Sequence, residues 1–359
     1  MSKVFVGIDV SKDFSTAQGV DKNGKKLFYL RFAMNAIGFS ELLKAMMRCS
    51  ENITEIAVAM ESTGCYHINL FSFFSSEGIS CVVVNPLLIT NFTRLSLRKT
   101  KTDKKDAHTI AQFLLANEKS LSAIAFSQNT QDIKDLSRER ESLTVLMSGM
   151  KNDLKRLLQG TFPELEKLCS PYGETMLHFL RQFPSARLVQ AAKKREIEKA
   201  LICPNENRKR VEVSADDIIA AAKTSVASSG AAKELILSEK ISTLLYLQEK
   251  NERITAVLIE TCESLRIEEL DIIRSIDGVN DITGSTFLAE IGDIKKFTSY
   301  KQIIAFAGLD PSIHQSGQYE GRSTISKRGN RHLRRIIFLM TLCAVRCKNV
   351  FREHFLGIL

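Results

Sequence analysis

The spacing of apolar positions changes along the chain, and each change marks a different kind of element. Near the N-terminus the apolar residues come as short runs, Val4-Phe5-Val6-Gly7-Ile8 ending at Asp9 and Ile56-Ala57-Val58-Ala59-Met60 ending at Glu61. Runs of this length predict strands over residues 3–10 and 55–61. A weaker strand is expected over 13–20, and Asp21-Lys22-Asn23-Gly24 has the residues of a hairpin turn into a third strand over 26–32. Helical spacing takes over near 36–48 and 66–77. A further strand is expected over 79–84, ending at Asn85-Pro86, and another helix opens at 103.

Beyond residue 130 the apolar steps alternate between three and four. Ile133, Leu136, Arg140, Leu143, Met147, Met150, Leu154 and Leu157 form one seam, and Leu244, Leu247, Asn251, Ile254, Leu258, Thr261 and Leu265 form a second. Such seams predict a helical coiled coil, closed either within one chain or against a second protomer, with Arg140 or Asn251 able to set the register in both cases. Between them, residues 166–228 read as short mixed-charge helical pieces broken by Pro171, Pro184 and Pro204, and no function is assigned to them.

The pattern changes again at Ile272-Ile273-Arg274-Ser275-Ile276-Asp277-Gly278-Val279-Asn280. A helix, a tight turn at Gly278 and Asn280, and a second helix through Gly284-Ser285-Thr286-Phe287-Leu288-Ala289 resemble a helix-hairpin-helix, whose turn amides hold phosphate oxygens. Asn280 stands where that turn needs a left-handed backbone, and a plain packing hairpin is the alternative. Ala305-Phe306-Ala307-Gly308-Leu309-Asp310-Pro311 then leads into a loop His314-Gln315-Ser316-Gly317. Asn330 is the expected cap of a helix carrying Arg331, Arg334 and Arg335 on one face.

The opening order βββαβαβα is that of the α/β ribonuclease H-like fold, a mixed sheet flanked by helices. The expected organisation is therefore a ribonuclease H-like domain over 1–120, a helical coiled-coil arm over 121–268 and a mainly α C-terminal domain over 269–359, and 359 residues give each room for a core.

Charge narrows the partner. Lys and Arg number 50 against 41 Asp and Glu, a net +9 that favours a polyanion. The distribution says more than the total. Arg98, Lys99, Lys101, Lys104 and Lys105 crowd the helix at 103, while Arg322, Lys327, Arg328, Arg331, Arg334 and Arg335 fill a C-terminal stretch without an acid. A charge run is often a solvated face, but here one run abuts a group of acids, where a phosphate backbone would have to lie. The eight cysteines show no Cys-x-x-Cys pair that would suggest zinc, and Cys343 and Cys347 read as core thiols. No signal peptide precedes the first strand and no apolar run would span a bilayer, so the expected compartment is the cytoplasm, without a membrane partner.

Those acids are the candidate chemistry. Asp9 and Glu61 end predicted strands, and Asp103 and Asp106 open the helix whose apolar stripe is Ala107, Ile110, Ala111 and Leu114. Stepping that stripe backward lands on both acids, so a cation or a basic cluster must offset their charge. For Asp103 and Asp106 alone helix capping is the better reading. Asp9 and Glu61 shift the balance, because hard divalent ions take oxygen ligands brought together from separate elements.

Taken jointly, Gly7-Ile8-Asp9-Val10-Ser11-Lys12, Glu61-Ser62-Thr63-Gly64, Asn85-Pro86 and Lys101-Thr102-Asp103-Lys104-Lys105-Asp106-Ala107, followed by Phe306-Ala307-Gly308-Leu309-Asp310-Pro311, Ser316-Gly317 and Ser326-Lys327-Arg328-Gly329-Asn330, resemble the insertion sequence one-ten transposases and the related Piv-type DNA invertases. The resemblance covers both ends of the chain and leaves the helical middle aside. It implies that Asp9, Glu61, Asp103 and Asp106 bind Mg²⁺ or Mn²⁺ in the RuvC-like domain. It also implies that Ser316 is the nucleophile of a C-terminal transposase domain; without it, Ser316-Gly317 reads as an ordinary turn dipeptide. The partners it implies are donor and target DNA, a bridging guide RNA, and further copies of the chain in a homo-oligomer, a dimer or a tetramer. Its expected setting is bacterial and nucleoid-associated.

Other classes make different demands. A RuvC-like structure-specific endonuclease would use the same acids to activate water and would not need Ser316. A sugar-kinase or actin-like ATPase lacks its later Gly-rich phosphate loops here. A non-enzymatic nucleic-acid binder accounts for the basic runs and leaves Asp9 and Glu61 without a purpose.

Overall fold

The computed structural model describes residues 3–61, 65–84, 86–94, 103–118, 128–202, 213–228, 230–312, 315–316, 319–320 and 324–358. The chain divides into two compact units, Met1–Gln128 and Asn129–Leu359.

In the first unit β1 (Val4–Asp9), β2 (Phe14–Asp21), β3 (Lys26–Ala33), β4 (Ile56–Glu61) and β5 (Ser80–Val84) form one sheet in the order β3-β2-β1-β4-β5. The first three strands are antiparallel, and β4 and β5 run parallel to β1. The hairpin between β2 and β3 turns as expected: Asp21 Oδ1 accepts the amides of Asn23 and Lys25 at 2.9 and 2.8 Å, and Gly24 takes a left-handed φ of 78°. Helices α1 (Ala36–Met47) and α2 (His67–Ser76) interleave with the strands, followed by α3 (Pro86–Arg94) and α4 (Asp103–Asn117). The sequence reading passed over α3, where proline occupies the first helical position.

Both faces of the sheet are covered. Val4, Val6, Ile8, Val58 and Met60 pack with Leu42 and Met46 of α1 and Leu70 and Phe74 of α2. Phe5, Val20, Ala57, Ala59 and Val82 pack with Ile110, Ala111 and Leu114 of α4. The mixed α/β unit is compatible with a ribonuclease H-like fold.

The second unit is mostly helical. Its frame is α5 (Gln128–Thr161) and α11 (Ala231–Arg274), with α6 (Leu165–Leu168), α7 (Glu174–Gln182), α8 (Ala186–Ala191), α9 (Lys194–Ala200) and α10 (Ala215–Lys223) between them. Ion pairs Lys240–Asp153 at 2.6 Å and Lys250–Glu139 at 3.0 Å show that the two long helices run antiparallel within one chain. Leu154, Leu157 and Leu158 of α5 share a core with Leu237, Ile241 and Leu244 of α11 and with α7, while Ile133 meets Leu258 and Cys262. Of the second seam only Leu244 and Leu258 enter these cores, while Leu265 is exposed and Cys262 is buried, so the helices pack together without establishing the expected coiled coil. Arg140 Nε and Asn251 Oδ1, the polar members of the two seams, are buried without hydrogen-bond partners. Helix α11 breaks at Arg266, whose φ of −145° is non-helical and whose guanidinium donates to the Leu288 carbonyl at 2.8 Å.

The same unit continues with α12 (Asp281–Ile291) and α13 (Tyr300–Ala307). Then β6 (Pro311–Ser312) pairs with β9 (Thr324–Ile325), and β7 (Gln315–Ser316) with β8 (Tyr319–Glu320). Helices α14 (Arg331–Ala344) and α15 (Val350–Ile358) close the chain. The turn before α12 differs from expectation. The left-handed residue is Gly278, at φ 89°, whereas Asn280 is extended and caps α12 by accepting the Thr283 amide at 2.9 Å. A Cβ on Gly278 would meet the Cys343 carbonyl at 2.7 Å and Cys347 Sγ at 2.9 Å, so this turn packs closely against the end of α14.

Among the described residues no helix is long and apolar enough to cross a membrane.

Candidate active site

Residue pairing fixes where the strand-end acids lie. Asp9 pairs with Thr16, Thr16 with Arg31, and Glu61 with Val84, while Ile8 pairs with Met60 one step back along β1 and β4. Paired residues share a face of a sheet, so Arg31, Thr16, Asp9, Glu61 and Val84 form a row across all the strands on the face that α4 covers. Asp9 and Glu61 are half-buried at the C-terminal ends of adjacent parallel strands, where ligands bind in open α/β sheets.

Helix α4 brings its own acids to that end. A Cβ on Gly7 would lie 2.2 Å from the Ala111 nitrogen and 2.3 Å from the Ala107 carbonyl, so the helix backbone sits directly on β1 where Gly7 has no side chain. Gln112 Nε2 donates to the Gly24 carbonyl at 3.3 Å, at the opposite end of the strands. Helix α4 therefore runs antiparallel to β1, and the end that carries Asp103 and Asp106 points toward Asp9. Asp106 is half-buried, and both it and Asp9 have interaction partners. Three acid-bearing elements thus reach one end of the sheet, and carboxylate oxygens are the donors that hard divalent cations take. Among the described residues no three His, Cys, Asp or Glu side chains are grouped closely enough to hold a metal ion. The Asp103 side chain lies outside the described set, as do those of Lys104 and Lys105, and Arg98, Lys99 and Lys101 lie outside it altogether.

Ser316 occupies a different structural setting, in the second unit. It is the last residue of β7 and pairs with Tyr319, so its backbone stands at the end of a hairpin strand rather than in an open loop. The root of that hairpin is held by the two sequence segments singled out in the C-terminal part. Asp310 accepts the Ser326 amide at 2.8 Å through its carbonyl and the Ser326 hydroxyl at 2.6 Å through Oδ1. Lys327, at a left-handed φ of 55°, donates its amide to the Gly308 carbonyl at 3.0 Å. A Cβ on Gly329 would meet the Phe306 carbonyl at 2.1 Å, and one on Gly308 would meet the Gly329 nitrogen at 2.6 Å. Only glycine permits the two segments to cross at that distance.

Below this crossing lies a carboxylate that sequence reasoning missed. The Glu290 side chain is fully buried and accepts from Arg138 Nε at 3.0 Å and Nη2 at 3.2 Å, and from Asn330 Nδ2 at 2.8 Å. Burial pushes this carboxyl up, but the hydrogen bonds from Arg138 and Asn330, with the charges of Arg138 and Lys134, outweigh it and hold the group below the usual carboxylate range. Asn330 in turn caps α14 as expected, accepting the amides of His332 and Leu333 at 2.9 and 3.1 Å, and its own amide donates to the Phe306 carbonyl at 2.7 Å. The available signal was an acid inside the apolar run Phe287-Leu288-Ala289-Glu290-Ile291.

The basic residues expected to hold nucleic acid divide by environment. Arg331 is exposed, and Lys327 and Arg328 are exposed beside it. Arg334 donates to the Ala307 carbonyl at 2.8 Å, part of the crossing itself. Arg335 pairs with Glu141 of α5, which also contacts His332 Nδ1 at the same end of α14. Burial raises the Glu141 carboxyl, yet these two partners bring it below its ordinary value.

Residues 6–163 match the profile of the DEDD transposases of IS110 type, described as "Transposase", and residues 270–356 match that of the "Transposase IS116/IS110/IS902 family". The chain is 23% identical to the insertion element IS116 uncharacterized 44.8 kDa protein of Streptomyces clavuligerus, over 99% of this chain and 88% of that one. It is 25% identical to the transposase for insertion sequence element IS1111A of Coxiella burnetii, over 92% and 75%. The pilin gene-inverting protein of Moraxella bovis is 23% identical over 94% of this chain and 82% of its own length.

Proposed function

The chain belongs to the IS110/IS116/IS902 transposase family, a DNA transposase and recombinase enzyme, and we propose that it cuts and rejoins strands through Ser316 with divalent metal held by Asp9, Glu61, Asp103 and Asp106. What carries the metal reading is the placement of Asp9 and Glu61 on neighbouring strand ends of one sheet face, with the acid-bearing end of α4 directed toward them.

The chemistry conserves phosphoester bonds. Ser316 Oγ attacks a backbone phosphorus, an Oγ–P bond forms, and the P–O bond to one DNA strand breaks, its oxygen leaving with the serine proton as a hydroxyl. Attack of a strand hydroxyl on the phosphoserine reverses the exchange, so rejoining needs no nucleotide cofactor. Mg²⁺ or Mn²⁺, when bound by the four acids, supplies charge neutralisation for the transferring phosphate. The chain's own contribution is positional: the sheet fixes Asp9 and Glu61, α4 brings Asp103 and Asp106, and the Gly308–Gly329 crossing holds the hairpin that carries Ser316. Donor and target DNA are the substrates, a bridging guide RNA reads their sequences by base pairing, and the active species is a homo-oligomer, a dimer or a tetramer.

The test is a suicide DNA substrate incubated with the purified protein. Ser316→Ala should lose the covalent protein–DNA adduct and strand exchange while retaining DNA binding, whereas Ser312→Ala and Ser323→Ala should recombine normally. Asp9→Asn, Glu61→Gln, Asp103→Asn and Asp106→Asn, or excess chelator, should abolish cleavage with the fold intact. Cleavage by Ser316→Ala without any adduct would mean metal-activated water is the nucleophile, as in a RuvC-like endonuclease. Sequencing of RNA that co-purifies with the protein tests the guide.

A further inference from the structure

The row that contains Asp9 and Glu61 continues to the free edge of the sheet, and its last member is Arg31. Among the described residues strand β3 has no neighbour beyond it in the sheet, and its residues alternate: Phe28, Leu30 and Phe32 pack inward on the α1 and α2 side, while Tyr29 and Arg31 are exposed on the α4 side. Phe14, next to Thr16 on the same face of β2, is 51% exposed, and the Arg31 guanidinium lies over its ring, 4.8 Å from the centroid. Tyr29 is 42% exposed and pairs with Gln18 one step along the strip.

Single exposed rings are normal on protein surfaces. This group differs in chemistry and in place. A guanidinium over one ring face, with a second exposed ring on the same face of the sheet, is the combination that holds a nucleic-acid strand by stacking bases and contacting phosphate. With strands about 4.8 Å apart, Arg31 lies two strands, roughly 10 Å, from Asp9 on one continuous face. The intervening Thr16 and Gln18 are buried on the face that α4 covers, and Phe14 is the exposed residue of β2 beside the strip.

We propose that Arg31, Phe14 and Tyr29 form a single-strand DNA-binding strip that leads the strand to be cut toward Asp9 and Glu61, Arg31 contacting a phosphate and the two rings stacking on unpaired bases. The direction of the strip, though not its capacity to bind, rests on the metal-site reading above.

Binding is measured in chelator, where no cleavage occurs, with the full-length protein and a fluorescent single-stranded DNA across a salt series. Arg31→Ala, Phe14→Ala and Tyr29→Ala should each weaken binding on the order of tenfold, and Arg31→Ala should lower the slope of log affinity against log salt by about one. Arg31→Lys should recover the salt slope and only part of the affinity, because an ammonium replaces the charge but not the flat stacking surface. Lys22→Ala, at the β2–β3 turn, should bind as the parent does. A photoreactive residue at Tyr29 should crosslink to DNA in parent, Asp9→Asn and Glu61→Gln backgrounds alike, which separates failure of the strip from failure of the metal site. Parent-like affinity in all three alanine variants, or crosslinking only to RNA, would overturn the proposal.

Discussion

Replacing Glu290 by Gln removes one negative charge and almost no volume from the centre of the second unit. A glutamine carbonyl oxygen can still accept from Arg138, but its amide nitrogen then faces Asn330 Nδ2, donor against donor. Asn330 cannot turn over without withdrawing Oδ1 from the amides of His332 and Leu333. Either a buried donor is left unpaired, at about 1–3 kcal/mol, or the cap of α14 is lost, at about 0.5–2 kcal/mol. The weakened Arg138 bonds add about 1 kcal/mol, kept small because that side chain is 43% exposed. The total is about 2–4 kcal/mol, which for a unit the size of Asn129–Leu359 corresponds to a drop of roughly 5–15 °C in melting temperature. Glu290→Ala should cost more, since it also leaves Arg138 unpaired and opens a cavity.

The same carboxylate sets a pH dependence. Its folded-state pKa is depressed, so its contribution is present above the unfolded value and is lost as pH falls through the carboxylate range toward the folded value. The gap between parent and Glu290→Gln should therefore narrow in acid. Differential scanning calorimetry from neutral pH downward measures both effects. A Glu290→Gln melting temperature within about 2 °C of the parent at neutral pH, or a gap that widens in acid, would refute the reasoning.

Gly7→Ala should lift α4 off β1, because a Cβ would stand 2.2 Å from the Ala111 nitrogen; the expected cost is at least 1–3 kcal/mol by denaturant titration, with strand cleavage falling alongside. Gly308→Ala combines a backbone φ of 66° with a contact 2.6 Å from Gly329, and should lower the stability of the second unit by a similar amount or more. Arg331→Ala and Arg334→Ala should separate two roles: the first weakening DNA binding and its salt dependence without changing the melting temperature, the second lowering that temperature because Arg334 holds the Ala307 carbonyl.

What the amino-acid order determined by itself was local. Alternation and apolar runs specify β1 to β5 within one or two residues, the Asp21–Gly24 turn specifies its hairpin, and Asn330 announces the start of α14, because each depends on neighbours a few positions away. The long seams announced two helices that bury their apolar stripes against each other, since periodicity records which face is apolar. Tertiary structure decided what periodicity cannot encode. The row from Arg31 through Thr16 to Asp9 exists only because β3, β2 and β1 pair in one register, and a shift of one residue would send Arg31 to the opposite face. Asn280 became a cap rather than a left-handed turn residue because Gly278 alone fits against Cys343. Glu290 was invisible as a functional candidate because its partners, Arg138 and Asn330, lie 152 and 40 residues away. A buried charge is stable only where such distant donors arrive together, and that arrival is a property of packing.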